Sequence, residues 1–264
     1  MRNNLIYVYC LSNCDPSIAQ NIADEGLQCI VSGNFTIITK CVSDCEFSEE
    51  NLKRNISDIQ WLETHAREHI EIINRIMKRT TVIPFKFGTI FETEESLKKF
   101  IADYSQSLTE NFEHIAGKEE WAVKMYCDRK KLSDQIDEYS EETASLEKQI
   151  MASSPGKAFL LKRKKTELIE NEMDRLCKYF GQKYYDEFKK LSDSVSLNNL
   201  LPNKFTGKVE TMILNAAFLV HKKNLSDFNK TVNQLSKENE NSRFFIEATG
   251  PWPPFSFISI KEKQ

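Results

Sequence analysis

The sequence has 264 residues, of which 40% are hydrophobic and 28% are charged, with a formal net charge of −3. This length suggests one large domain or two of ordinary size, and the hydrophobic content excludes a disordered chain. The weak net charge gives no reason to expect a nucleic acid as partner. No stretch approaches the roughly 20 consecutive apolar residues that a membrane-spanning helix needs. We therefore expect a cytoplasmic protein that does not enter a lipid membrane.

The first third of the chain predicts strands followed by a helix. Leu5–Cys10 (LIYVYC) is typical of a buried strand and lacks the cleavage site of a signal peptide. Leu27–Val31 and Phe35–Thr39 are separated by Ser-Gly-Asn, which predicts a hairpin. From Asn55 to about Arg79, apolar residues recur every three or four positions, and this spacing predicts an amphipathic helix.

The next segment predicts a bent strand, a helix and another strand. Thr80–Phe91 is extended in character, but Pro84 cannot sit inside a central ladder, so we expect an edge or bent strand. Thr93, followed by two glutamates, predicts the start of a helix that runs to about Ile115. Glu119–Cys127 predicts the strand that follows.

Two long helical stretches come next. Between Leu132 and Ile150, apolar residues step by four and three positions, which is typical of a heptad seam. The second stretch runs from about Lys157 to Leu191. The first carries mostly acidic residues and the second opens with Lys162–Lys165, so we expect an antiparallel helical hairpin with opposite charges facing each other.

The chain then predicts a strand (Lys208–Val220), a helix (about Leu225–Glu240) and a strand (Phe244–Ala248). With the hairpin as one crossover, this order makes most of a ferredoxin-like split βαβ unit. The predicted fold class is therefore α+β with two domains, residues 1–116 and 117–264. The second contains a coiled-coil-like helical hairpin at about 128–191.

The string H-x-x-E-H at His65, Glu68 and His69 is the zinc-binding pattern of one class of metalloproteases. Histidines at positions i and i+4 share one helix face and can share a metal. A catalytic zinc needs a third protein ligand, and no sequence neighbour stands out as one. The alternative interpretation is two histidines that pack at the edge of a helix core, and we expect this one.

Other cofactor sites have weaker support. Two C-x3-C pairs, Cys10/Cys14 and Cys41/Cys45, do not have the usual zinc spacing, so we expect free thiols in a reducing compartment. The loop MASSPGKA resembles a phosphate-binding loop but lacks its first glycine and its final Ser or Thr. We expect no cofactor, no metal and no small-molecule substrate.

Two stretches rich in proline and aromatic residues remain unusual: Val82–Phe91 (VIPFKFGTIF) and Glu247–Phe257 (EATGPWPPFSF). One interpretation is rigid packing at strand ends. The other is a stiff aromatic surface for a protein partner, because aromatic residues dominate interface hot spots.

These two stretches, with the N-terminal YVYC, the helix segment ETHAREH and the strand EEWAVKMY, resemble the gas vesicle protein F/L family in order and spacing. The resemblance implies a two-domain, non-enzymatic accessory or minor structural protein of gas vesicles. It implies that the partners are the hydrophobic shell protein and other gas vesicle accessory proteins, at the vesicle. The candidate contact or signature residues are Pro84, Phe85, Lys86, Phe87, Gly88, Trp121, Gly250, Pro251, Trp252, Pro253, Pro254 and Phe255.

Two alternative functions stay open at this point. One is zinc-dependent hydrolysis at the histidine pair. The other is a coiled-coil interaction module that works through the hairpin between Leu132 and Leu191.

Overall fold

A computed structural model describes residues 4–13, 26–238 and 243–260. The chain divides into two compact units. The first contains the described residues of Met1–Glu120 and Pro251–Gln264, and the second is Trp121–Gly250. The division between residues 116 and 117 was expected on sequence grounds. That division stays a prediction; the boundary between the compact units follows Glu120, and the described residues from Pro251 onward, which we call the terminal stretch, are grouped with the first unit.

The first sheet has five strands in the order β2-β3-β1-β4, with β5 also paired to β1. β1 pairs antiparallel with β3 along most of its length, and the register shifts between Val8 and Cys10. Tyr7 to Leu11 are all buried, which confirms the predicted buried first strand. The strands are β1 (Asn4–Ser12), β2 (Leu27–Ser32), β3 (Phe35–Ser43), β4 (Val82–Pro84) and β5 (Ile90–Phe91).

Helices cover this sheet. Buried residues of α3, including Ile72, Ile73 and Ile76, pack with Tyr7 and Tyr9 in one core. Leu97, Ile101, Leu108 and Phe112 are also buried, on α4 and α5. The helices are α1 (Asp44–Phe47), α2 (Glu49–Asn55), α3 (Ile59–Met77), α4 (Glu94–Asp103) and α5 (Ser105–Ile115).

Three element boundaries in this unit differ from the prediction. The helix expected from Asn55 starts at Ile59, because the Asp58 side chain accepts hydrogen bonds from the first turn and caps a new helix there. The extended stretch 80–91 forms two short strands with a turn between them. The helix expected over 93–115 is interrupted at Tyr104, whose backbone (φ −102°, ψ 9°) is not helical.

The second sheet has four strands in the order β7-β8-β6-β9. The short strand β7 was not predicted, since four residues (SVSL) give little periodic signal. It pairs antiparallel with β8, from Ser194 opposite Leu219 to Leu197 opposite Ala216. The strands are β6 (Lys118–Cys127), β7 (Ser194–Leu197), β8 (Thr211–His221) and β9 (Phe244–Trp252).

The helices between these strands include one of 36 residues. Its buried residues Met173, Tyr184 and Phe188 pack with Phe218 of β8 in the core of this unit. The helices are α6 (Arg129–Asp134), α7 (Glu141–Met151), α8 (Pro155–Lys190), α9 (Asn203–Thr206) and α10 (Leu225–Glu238).

The first arm of the expected hairpin is not one continuous helix. It consists of α6, a 3-10 turn (Ile136–Glu138) and α7, which Ser140 caps through its hydroxyl. The heptad positions Leu132, Ile136, Thr143 and Leu146 are nevertheless buried. Tyr139, which belongs to the same predicted spacing, is 36% exposed, and the local capping signal of Ser140 breaks the helix just after it.

Both sheets are antiparallel, and helices and strands are mixed in each unit, so the predicted α+β class is confirmed at this level.

Candidate functional site

The histidine of the H-x-x-E-H string that lies deepest is His69 on α3, which is 1% exposed. Its Nε2 lies 3.0 Å from the carbonyl oxygen of Phe85. Its Nδ1 lies 2.9 Å from the hydroxyl of Tyr7. Because a carbonyl oxygen only accepts, Nε2 carries the proton and Nδ1 accepts from Tyr7.

A third group completes this chain of hydrogen bonds. The backbone N–H of Gly88 donates to the Tyr7 hydroxyl over 3.1 Å. The hydroxyl thus accepts from Gly88 and donates to His69, so every polar atom in the chain has one consistent role. Burial raises the pKa of the Tyr7 hydroxyl and lowers the pKa of His69, so both stay neutral. We call Tyr7, His69, Phe85 and Gly88 the Tyr7–His69 relay.

The other two residues of the string have partners as well. His65 Nδ1 lies 2.8 Å from the carbonyl oxygen of Trp61, and its Nε2 lies 3.3 Å from Glu46 Oε1. Glu68 forms an ion pair of 2.7 Å with Lys40 across the helix–sheet contact. The His65 ring stacks on Trp61 at 4.0 Å.

This arrangement does not fit the zinc interpretation. A ligating histidine must direct a nitrogen lone pair at the metal, but the nitrogens of His69 are both engaged within the core and those of His65 both face protein oxygens. In the described part of the chain, no group of three or more His, Cys, Asp or Glu side chains is placed to hold a metal ion.

The cysteines differ in burial. Cys10, Cys127 and Cys177 are buried, whereas Cys41 and Cys45 are exposed. Cys14, the second member of the first C-x3-C pair, lies outside the described residues.

The signature stretch Pro84–Gly88 lies where the sheet meets α3. Pro84 is buried in β4 opposite Cys10, and the N–H of Phe85 donates to the carbonyl oxygen of Tyr9 over 2.9 Å. Lys86 is exposed and Phe87 is half-buried beside the His69 ring. Gly88 has φ +78°, a conformation that favours glycine. In this stretch, the aromatic and proline residues therefore support the Tyr7–His69 relay more than they face solvent.

Side chains of Ser107, Asn111 and Glu120 attach the terminal stretch to the first unit, with the Ser107 hydroxyl donating to the carbonyl oxygen of Ser259 over 3.2 Å. Glu120, which is 6% exposed, accepts hydrogen bonds from both the N–H and the hydroxyl of Ser256, at 3.0 and 2.7 Å. Burial raises the pKa of the Glu120 carboxyl, and the two Ser256 bonds oppose that shift. Asn111 brackets Ser259, with its Oδ1 accepting from the Ser259 N–H and its Nδ2 donating to the Ser259 carbonyl.

The remaining candidate residues are distant from Pro84–Gly88 in the sequence and differ from one another in burial. Pro253 and Pro254 are buried, while Gly250 and Pro251 are exposed. Trp252 is 41% exposed. Phe255 packs against the core of the first unit. Trp121 belongs to the second unit, where its ring lies 6.1 Å from Phe228.

Sequence reasoning missed an exposed apolar segment of the second unit. From Leu197, the last residue of β7, to the start of β8, five large apolar side chains are 39–91% exposed. The only sequence signal was apolar residues among turn formers in LNNLLPNKFTGKV. We call this the apolar segment; its exposed residues are Leu197, Leu200, Leu201, Phe205 and Val209.

Internal hydrogen bonds fix the shape of the apolar segment. Asn215 of β8 donates from its amide to the carbonyl oxygen of Asn199 over 2.8 Å. The Asn203 amide donates to the carbonyl oxygen of Val209 over 2.7 Å, which closes the loop around α9. Gly207 ends that short helix with φ +67°. The exposed side chains are thus carried on an ordered backbone.

Comparison with known proteins identifies the chain. The model of the family "Gas vesicle synthesis protein GvpL/GvpF" matches residues 5–259. The chain belongs to the GvpL/GvpF family. Gas vesicle protein L of Streptomyces sp. (strain CB03234) is 23% identical over 265 residues, which cover 99% of this chain and 95% of that protein. Gas vesicle protein F of Nostoc sp. (strain PCC 7120) is 27% identical over 184 residues, 68% of this chain and 70% of that protein.

Solved structures of the GvpL/GvpF family share this fold. The crystal structure of GvpF from Anabaena sp. PCC7120 has a TM-score of 0.72 at 21% identity, covering 98% of this chain and 100% of that one. GvpF from Microcystis aeruginosa gives 0.64 at 17% identity, covering 97% and 99%. Membership supports an accessory role in gas vesicles, as the sequence resemblance implied. Among the described residues, none of the helices combines the length and apolarity required to cross a bilayer.

Proposed function

We propose that this chain is an assembly factor that binds the hydrophobic shell protein of gas vesicles through the apolar segment. The observation that carries the proposal is the exposure of five large apolar side chains on an ordered loop. Contiguous exposed apolar patches of a few hundred Å² on a protein surface commonly mark interaction sites. The family match supplies the biological setting.

An exposed apolar surface suits a protein that must cover the apolar surface of a shell subunit. A shell subunit with an apolar, gas-facing surface would aggregate in water unless a partner covered that surface. Burial of apolar area stabilises such a complex by about 25 cal/mol per Å². Because the hydrogen bonds of Asn199 and Asn203 already order the loop, little conformational entropy is lost on binding.

The two surfaces expected from the sequence remain proposals of lower rank. Pro84 is buried, lacks an N–H and lies in a three-residue strand, so it offers a poor template for pairing with a partner strand. Lys86, Phe87 and Trp252 are accessible enough to contact a partner at a second point.

We also propose a finer description of the fold of the second half. The strand order β7-β8-β6-β9, with α8 and α10 as the two crossovers, supports a ferredoxin-like split βαβ unit in the second half. α7 and the first half of α8 form a hairpin of unequal arms, which the ion pair of Lys165 with Glu147 bridges at 2.9 Å.

We further propose that the protein is not an enzyme and works in the cytoplasm at the vesicle. The cavity beside His65 and Glu68 has a volume of about 240 Å³, below the roughly 300–1,000 Å³ of typical ligand pockets. His69 cannot reach a substrate as a base, because it is 1% exposed and its nitrogens are hydrogen-bonded to Tyr7 and Phe85 within the core.

Co-expression with the shell protein of the same organism, followed by pull-down, tests the proposal. Leu200→Ser combined with Phe205→Ser should reduce retention of the shell protein about tenfold or more, because a single well-packed anchor is worth about 2 kcal/mol. The matched control is Ile59→Ser with Val31→Ser, which removes two exposed apolar side chains from the first unit.

Equal loss in the test and control variants would show that general surface apolarity, not the apolar segment, drives binding. Normal retention in the Leu200/Phe205 variant, with loss in Trp252→Ser, would move the contact to the terminal stretch. Failure of the unaltered chain to retain the shell protein would refute the proposal as a whole.

A further inference from the structure

A second exposed apolar patch lies at the turn that joins α7 to α8. Met151 at the end of α7 and Phe159 and Leu160 in the first turns of α8 are 67–79% exposed. The buried residues near this end of the hairpin, Leu146 and Ile150, face inward instead. These three exposed side chains therefore add nothing to the core that holds the hairpin together.

Four cations share this end of the hairpin. Lys157, Lys162, Arg163 and Lys164 are exposed, and none forms an ion pair with another residue in the described ranges. Lys165 differs, since its side chain is 16% exposed and pairs with both Asp137 and Glu147. The expected pairing of the basic run with the acidic arm thus holds for one residue only. We call Met151, Phe159, Leu160 and the four unpaired cations the hairpin tip.

Positive charge is concentrated at the hairpin tip. Residues 148–166 include no Asp or Glu, although the whole chain carries a net charge of −3. The four cations span eight residues of helix, from Lys157 to Lys164, or about 10 Å at 1.5 Å per residue. That length is close to the Debye length at physiological salt, so their fields add instead of being screened from one another.

We infer that the hairpin tip binds a protein segment that combines carboxylates with apolar side chains. Unpaired cations beside exposed Phe, Leu and Met fit an amphipathic acidic segment, in which apolar contact supplies affinity and charge supplies orientation and rate. Like charge opposes contact between the hairpin tips of two copies of this chain. The inference rests on the accessory role proposed above, but it uses a surface different from the apolar segment.

The overall charge argues against extended polyanions. A membrane or a nucleic acid presents negative charge over an area much larger than the tip, so it meets the field of the acidic remainder of the chain as well. A short acidic segment meets only the local field of the tip, because charges more than about 10 Å away are screened. The observations therefore favour a protein segment.

The experiment uses the full chain as bait and each other gas vesicle protein of the same organism, expressed singly, as prey. The tip variant is Lys162→Glu with Lys164→Glu. The matched control is Lys178→Glu with Lys190→Glu, exposed residues on the same helix with the same change in net charge. A third variant, Phe159→Ser with Leu160→Ser, tests the apolar part of the tip.

We expect at least one prey protein whose affinity falls about tenfold or more in both tip variants and stays unchanged in the control. Its affinity for the unaltered chain should also decrease when NaCl is raised from 50 to 300 mM. Equal affinity of every retained prey for the tip variants and the unaltered chain would overturn the inference and leave the proposed function intact. The same holds if only the Leu200/Phe205 variant loses binding. Retention of no gas vesicle protein at all would remove both proposals.

Two further binding measurements test whether the hairpin tip prefers a lipid surface or a nucleic acid to a protein segment. Vesicles containing 20% phosphatidylserine and a 20-base-pair DNA duplex are each mixed with the unaltered chain and the tip variant. Binding to either probe that matches or exceeds binding to every protein prey, and that is lost in the tip variant, would overturn the inference in favour of that probe.

Discussion

At the scale of single residues, the Tyr7–His69 relay connects α3 to β1 and to the Pro84–Gly88 stretch through buried hydrogen bonds. The spacing of the two histidines predicts that both lie on one helix, and His69 is 1% exposed there. The donor that satisfies His69 is Tyr7, which lies 62 positions away. Such a partner follows from strand and helix packing, so the sequence predicted packing histidines but not their partners.

The relay predicts that Tyr7→Phe destabilises the first unit far more than Glu68→Gln does. Removing the Tyr7 hydroxyl leaves a buried acceptor on His69 and a donor on Gly88 without partners, which costs about 1–3 kcal/mol. Glu68→Gln weakens a half-exposed ion pair with Lys40, worth at most about 1 kcal/mol.

Urea denaturation followed by circular dichroism measures both changes. Vesicle formation should be retained by Glu68→Gln. A folded Glu68→Gln protein without function, or a Tyr7→Phe protein as stable as the unaltered chain, would contradict the structural role assigned to the string.

At the scale of elements, long periodic segments were predicted well and local breaks were not. α8 (Pro155–Lys190) and β8 (Thr211–His221) lie within a few residues of their expected ranges. The interruption at Tyr104 was not predicted, because no glycine or proline lies there to indicate the end of a helix. The apolar segment was missed because exposure depends on what packs nearby, and a loop without periodicity gives no sign of that.

The two attachments of the terminal stretch should open independently of each other. Asn111 holds Ser259, and Glu120 holds Ser256, through separate hydrogen bonds. Asn111→Ala should speed amide exchange of Ser259 about tenfold or more and leave Ser256 nearly unchanged, because each lost bond opens only its own site. Glu120→Ala should have the reverse effect.

Amide exchange followed by NMR resolves the two sites. If either variant accelerates both amides equally, the terminal stretch opens as one piece, and the two attachments do not act independently.

At the scale of the whole molecule, the terminal stretch belongs to the first compact unit, although it follows the second along the chain. Residues that follow β9 along the chain were expected to belong with it. Phe255 instead packs with the core of the first unit, and Ser256 and Ser259 are bound by residues of that unit. Chain order alone does not predict such a return, because nothing in PWPPFSF identifies Glu120 and Asn111 as its partners.

Deleting residues 251–264 should therefore destabilise the first unit and spare the second. The deletion removes the packing of Phe255 and leaves the buried Glu120 carboxylate without its donors, a loss of about 2 kcal/mol or more. Trp61 reports on the first unit and Trp121 on the second. Chains that keep only one of these tryptophans, with Trp252→Phe in the full-length control, let fluorescence follow each unit in urea. We expect the Trp61 midpoint to fall while the Trp121 midpoint stays within error; an equal fall of both would show that the two units unfold together.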